Sequence, residues 1–110
     1  MNNYNISIGL IGYGYWGKNL ARNLNELGVL KAICDLNEEN LFKSKTAYKH
    51  VDQYSNINDF FNLDLDAIVI ATPAATHGKL VKKALENNKN VFVEKPLCLD
   101  VEEGINLNLL

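Results

Sequence analysis

Residues 12–17 read Gly-Tyr-Gly-Tyr-Trp-Gly, three glycines at the spacing G-x-G-x-x-G, and their surroundings restrict the fold. The apolar run before them, residues 6–12 (ISIGLIG), has the length and β-branched content of a buried strand that ends on glycine. After them, Trp16, Leu20, Leu24 and Leu27 recur at helical spacing, and Gly28 stands where a C-terminal cap belongs. A strand, a glycine turn and a helix in this order bring helix N-terminal amides beside a backbone without side chains. Gly12 permits the tight turn, Gly14 lets the backbone approach a pyrophosphate with no Cβ in the way, and Gly17 lets the helix pack closely on the strand. The amides around Tyr15 and Trp16 then point from the positive end of the helix toward the phosphates. The same spacing also occurs in plain strand–helix turns that hold no ligand, so context must carry the assignment.

The alternation continues along the chain. Residues 29–35 (VLKAICD) predict a second strand, and residues 38–48 a weaker helix with Leu41, Ala47 and Tyr48 as its apolar positions. Asn56, with Asp59 three residues on, marks the start of a short helix carrying Phe60 and Phe61. Residues 66–73 (DAIVIATP) form a continuous apolar run, the pattern of a strand buried on both faces. Leu80, Val81, Ala84 and Leu85 give the next helix its stripe, with Lys79, Lys82, Lys83 and Glu86 on a solvated face. Residues 90–94 (NVFVE) predict a further strand, and Asp100 with Glu103 a capping box for a helix beginning near residue 100. Strands alternating with helices through tight connections imply an α/β fold, a doubly wound parallel sheet of the Rossmann type, with residues 1–110 as one incomplete dinucleotide-binding domain. Ligands of such sheets bind beyond the carboxyl ends of the strands, where Gly12, Asp35, Thr72 and Glu94-Lys95 all fall.

Asp35 ends the second strand, eighteen residues after Gly17. A carboxylate there accepts hydrogen bonds from adenosine ribose hydroxyls and repels a 2′-phosphate. The following Leu-Asn-Glu offers no cation to that phosphate, so NAD is expected over NADP. Asp35 also suits a helix N-cap, and the two roles are compatible. A P-loop is excluded because no Gly-Lys-Ser/Thr follows the glycines. S-adenosylmethionine methyltransferases share the glycine loop and the acid, but not usually a Lys-Pro pair at the end of a later strand.

A formal charge of −2 over 110 residues provides no basic field, which argues against nucleic acid as a partner. The first ten residues have neither a positive start nor a long apolar run, so no signal peptide or membrane anchor is expected. Cys34 and Cys98 match no metal or disulfide spacing and are expected as reduced thiols in a cytoplasmic protein with no metal site. On local grounds alone, Lys95 reads as a solvated strand end and His77 as a surface residue or cap.

Four segments in order, GLIGYGYWGKNLARNLNELG, AICD, IVIATPAATH and VFVEKPLCLD, resemble the N-terminal domain of the Gfo/Idh/MocA oxidoreductases. The resemblance covers essentially the whole chain up to about Glu103. It implies that Gly12, Gly14 and Gly17 cradle NAD and that Asp35 holds its ribose. Thr72 and Pro73 would line the cofactor groove, with His77 reaching toward the ribose or nicotinamide side. Glu94-Lys95-Pro96 matches the family's Glu-Lys-Pro signature, in which the lysine stands between nicotinamide and substrate as the catalytic residue. A lysine beside a cationic nicotinamide ring has its charged form disfavoured, so its pKa falls from about 10.4 and Lys95 can take or relay a proton. Within the family, the motifs look most like bacterial dehydrogenases that oxidise the 3-hydroxyl of UDP-linked N-acetyl sugars. The resemblance further implies a second α/β domain that completes the site. Two outcomes are therefore expected: the cofactor domain of an NAD-dependent sugar or nucleotide-sugar dehydrogenase, inactive alone, or a non-catalytic dinucleotide-binding or interaction module. Ile105, Leu107, Leu109 and Leu110 find no obvious core and suggest self-association.

Overall fold

The computed structural model describes residues 6–72, 76–87 and 89–93. Five strands and four helices alternate: β1 (Ile8–Ile11), α1 (Tyr15–Glu26), β2 (Leu30–Cys34), α2 (Glu38–Ala47), β3 (Asp52–Tyr54), α3 (Ile57–Phe61), β4 (Ala67–Ile70), α4 (His77–Glu86) and β5 (Asn90–Val93). Pro73, Glu94, Lys95 and Pro96, the helix expected near residue 100 and the apolar tail lie outside the described residues, as does the side chain of His77.

All four strand pairings are parallel, in the order β3-β2-β1-β4-β5. This is a doubly wound Rossmann sheet, with the strand order reversing between β1 and β4. Burial explains why these strands read as unbroken apolar runs. Ile11, Cys34, Ile68 and Ile70 face one core with Phe60, Phe61, Val81 and Ala84. Their neighbours Leu10, Ile33 and Val69 face a second core with Tyr13, Ala21 and Val51. Successive strand residues point to opposite faces, so a sheet covered on both sides needs apolar residues at every position.

Local chemistry sets the element ends. Gly28 closes α1 at φ 76°, a conformation that favours glycine. Asn37 caps α2 by accepting from the Asn40 amide at 3.0 Å, and Asn56 caps α3 by accepting from Asn58 and Asp59 at 2.8 and 3.2 Å.

Three details depart from the sequence expectation. β3 has no apolar alternation; it is held by pairing with β2 and by the buried Ser44 hydroxyl of α2, which bonds the Gln53 side chain. In α1 the helical period is right but its face differs. Gly17 and Ala21 are buried, Leu20 and Leu24 pack partly on the core, and Trp16 and Leu27 are exposed. In α2, Ser44 rather than Ala47 is buried. No helix among the described residues is long and apolar enough to cross a membrane.

Candidate functional site

The glycine turn leaves β1 at Gly12, whose φ is 100°. A Cβ there would stand 2.8 Å from the Ala71 carbonyl oxygen and 3.1 Å from Thr72 Cγ2, so the turn fits against the end of β4 only without a side chain. At Gly17 a Cβ would overlap the Gly12 carbonyl, which is what close contact of α1 with β1 requires. Gly14 differs: among the described residues, a Cβ there would meet nothing within 4 Å. The space over Gly14 is open to a ligand, and filling it would cost the protein itself nothing.

Gly14 is also the N-cap of α1, and it supplies no side-chain hydrogen bond. The first turn of α1 carries no acidic residue. The amides that begin this twelve-residue helix therefore have no side-chain cap and no carboxylate to offset the positive end of its dipole. An anion meets that need. Tyr15 and Trp16 stand outside the core, 78% and 60% exposed, with their rings edge to face at 5.2 Å. Their backbone amides are the first of α1.

Asp35 follows β2 and is held by three donors. Its Oδ2 accepts from the Tyr13 amide at 2.8 Å and from Asn40 Nδ2 at 3.2 Å, and its Oδ1 accepts from the Asn37 amide at 2.8 Å. The carboxylate thus links the glycine turn to the start of α2. It does not cap that helix; Asn37 does. Tyr13 is itself anchored, its ring buried edge to face against Tyr48 at 6.4 Å, and burial followed by the Tyr48 hydroxyl raises its pKa.

Gly12, Asp35 and Thr72 come together along one cleft of about 440 Å³, whose wall also includes Ile11, Cys34, Leu36, Asn37, Ile57, Thr76, Lys79 and Leu80. Thr72 and Thr76 face each other, hydroxyl to hydroxyl, at 2.7 Å. His77 begins α4 immediately after Thr76. Leu36, Ile57 and Leu80 give the cleft apolar walls next to a carboxylate and two hydroxyls, a combination suited to a flat base attached to a polyhydroxylated sugar. Sequence reasoning missed these wall residues. The one available signal was Leu36, an apolar side chain after Asp35 in a polar loop, here 82% exposed. Cys34 lies beneath the cleft, its thiol pushed up to about 11 by burial and then by the neighbouring Asp35 charge. Among the described residues, no group of His, Cys, Asp or Glu could hold a metal ion.

Comparison with known proteins agrees with this geometry. The chain is 56% identical over 40 residues to scyllo-inositol 2-dehydrogenase (NAD(+)) of Bacillus subtilis, a match covering 36% of the chain and 12% of that protein. It is 32% identical over 103 residues to 2,7-anhydro-N-acetylneuraminate hydratase of Escherichia coli, covering 93% of the chain and 27% of that protein. The crystal structure of the WlbA dehydrogenase from Bordetella pertussis, in complex with NADH and UDP-GlcNAcA, superposes with a TM-score of 0.89 at 27% identity, over 99% of this chain and 34% of that one. The chain thus spans about a third or less of the length of these proteins. A family model described as an oxidoreductase family with an NAD-binding Rossmann fold matches residues 6–109, and together with the glycine turn and the cleft beside Asp35 this places the chain in the Gfo/Idh/MocA oxidoreductases, with NAD as its cofactor.

Proposed function

We propose that the chain is the cofactor-binding part of a cytoplasmic dehydrogenase that moves a hydride between a sugar hydroxyl, in particular that of a nucleotide-linked sugar, and NAD. The observation that carries this reading is a cleft that joins Gly12, Asp35 and Thr72, beside a helix whose first turn has neither acid nor side-chain cap. In this reading Gly12, Gly14 and Gly17 and the amides of Tyr15 and Trp16 hold the pyrophosphate. Asp35 takes the adenosine ribose, and Leu36, Ile57 and Leu80 flank the base. Thr72 lines the cleft, and on the family resemblance Pro73, His77, Glu94 and Lys95 are assigned to the nicotinamide end. When bound, NAD supplies the hydride acceptor. The chain's own part is to orient that ring and to receive, at Lys95 Nζ, the proton that the substrate hydroxyl loses. Similarity to a scyllo-inositol dehydrogenase and to a dehydrogenase crystallised with UDP-GlcNAcA supports a polyhydroxylated ring as substrate.

The 110 residues alone are expected to show no turnover, since they span only a third of the dehydrogenases they resemble. The test is to join the chain to the segment that follows the matching region of WlbA and to follow NADH absorbance with NAD and UDP-GlcNAcA. NADH formation that falls about 100-fold or more in Lys95→Ala supports the reading. Formation indifferent to Lys95, or robust turnover by the unfused chain, contradicts it. The match of 93% of this chain to 27% of a hydratase supports a second reading, in which the same cofactor site serves a reaction with no net redox change. Conversion of 2,7-anhydro-N-acetylneuraminate without accumulation of NADH, by the chain joined to the segment that follows the matching region of that hydratase, would select it.

A further inference from the structure

We propose that Asn40 is a positioning residue that orients the Asp35 carboxylate toward the ribose and thereby sets the preference for NADH over NADPH; this rests on the reading of Asp35 as the ribose acceptor. Three donors converge on Asp35: the Tyr13 amide on Oδ2 and the Asn37 amide on Oδ1, each at 2.8 Å, and Asn40 Nδ2 on Oδ2 at 3.2 Å. Two are main-chain groups whose places follow from the glycine turn and the start of α2. Asn40 is the only side chain among the three, and both it and Asp35 are half-buried. Because Asn37 already caps α2 through the Asn40 amide at 3.0 Å, the Asn40 side chain is not needed as a cap.

A carboxylate accepts about four hydrogen bonds, two on each oxygen. Tyr13 and Asn40 fill Oδ2, and Asn37 takes one position on Oδ1, so one position on Oδ1 remains for a ligand hydroxyl. With Oδ2 held on both sides, the carboxylate cannot pivot to offer a different oxygen or to retreat from a phosphate. The chemistry of position 40 matters as much as its place. Glu38 and Glu39 precede it in the first turn of α2, and the usual residue at this third helical position is Glu or Gln, reaching back to the cap. A carboxylate there would face Asp35 with like charge. An amide provides a donor with no charge, which holds the Asp35 carboxylate in place without repelling it.

The test is a set of fluorescence titrations with NADH and NADPH on the chain and on Asn40→Ala, Asp35→Ala and the double variant, each with a thermal melt. Asn40→Ala is expected to weaken NADH roughly three- to tenfold and to narrow the gap to NADPH, with the melting midpoint little changed. In the Asp35→Ala background it is expected to have no further effect, because nothing is left for it to hold. A purely structural role would instead weaken both cofactors alike, by the same factor in either background, and would overturn the proposal. Unchanged NADH affinity in Asn40→Ala would also overturn it. Asn40→Asp keeps the size and reverses the interaction; it is expected to weaken NADH at least as much, and it decides the matter should the alanine variant fail to fold. Failure of the unaltered chain to bind NADH would remove the dinucleotide reading and this proposal together. Binding that responds to Asp35→Ala but not to either Asn40 variant would remove this proposal alone.

Discussion

Gly14 and Gly17 belong to one motif, yet the structure separates what each is for. A Cβ at Gly14 touches nothing, whereas at Gly17 it would run into the Gly12 carbonyl. Gly14→Ala is therefore expected to leave the thermal midpoint unchanged and, if Gly14 admits the pyrophosphate as proposed, to weaken NADH about tenfold or more. Gly17→Ala is expected to cost about 1–3 kcal/mol of stability, since α1 has to move off β1. Melting curves and NADH titrations on the two variants check both statements, and equal effects on stability would contradict them. Cys34 provides a second residue-scale test. Its thiol is raised from 9.0 to about 11 by burial first and by Asp35 second. The folded chain thus holds this proton more tightly than the unfolded chain does. The associated stability is fully present below pH 9.0 and is lost as pH rises toward about 11. Tyr13 is raised from 10.0 as well, and its contribution begins to be lost in the same direction above that pH. Urea midpoints across this window are expected to fall, and to fall less steeply in Cys34→Ala.

At the scale of elements, the alternation of strand and helix was legible because a sheet covered on both faces demands continuous apolar runs, such as Ala67–Ile70. The short helix from Ile57 to Phe61 was legible from Asn56, whose side chain accepts two amides at its start. Asn56→Ala is expected to cost about 1 kcal/mol, measured by urea denaturation. A neutral result would mean that burial of Phe60 and Phe61 alone holds this turn. β3 was not legible, because Asp52, Gln53 and Tyr54 carry no alternation and only one neighbouring strand pairs with them. Its place is set by partners distant in sequence, the Ser44 hydroxyl on the Gln53 side chain and β2 alongside. The face of α1 was misjudged for a related reason. Its buried residues are Gly17, which the glycine motif marks, and Ala21, which no hydrophobic pattern marks; Leu20 and Leu24 pack beside them and Trp16 stays outside.

Over the whole molecule, the parts of the site that lie at strand ends could be read in advance. Gly12, Asp35 and Thr72 occupy the carboxyl ends of β1, β2 and β4, and parallel pairing brings those ends together. The parts contributed by helix starts and loops, Leu36, Ile57, Thr76, Lys79 and Leu80, depend on how α3 and α4 settle on the sheet, which no local pattern encodes. The strand order places this cleft where the sheet reverses, so cofactor binding belongs to the architecture as a whole. The most direct measurement is a titration of the chain with NADH and, separately, with NADPH, following energy transfer from Trp16, the single tryptophan, at the start of α1. The account predicts saturable quenching with NADH bound more tightly than NADPH. Absence of saturation with either cofactor, in a chain whose circular dichroism shows the fold intact, would contradict it.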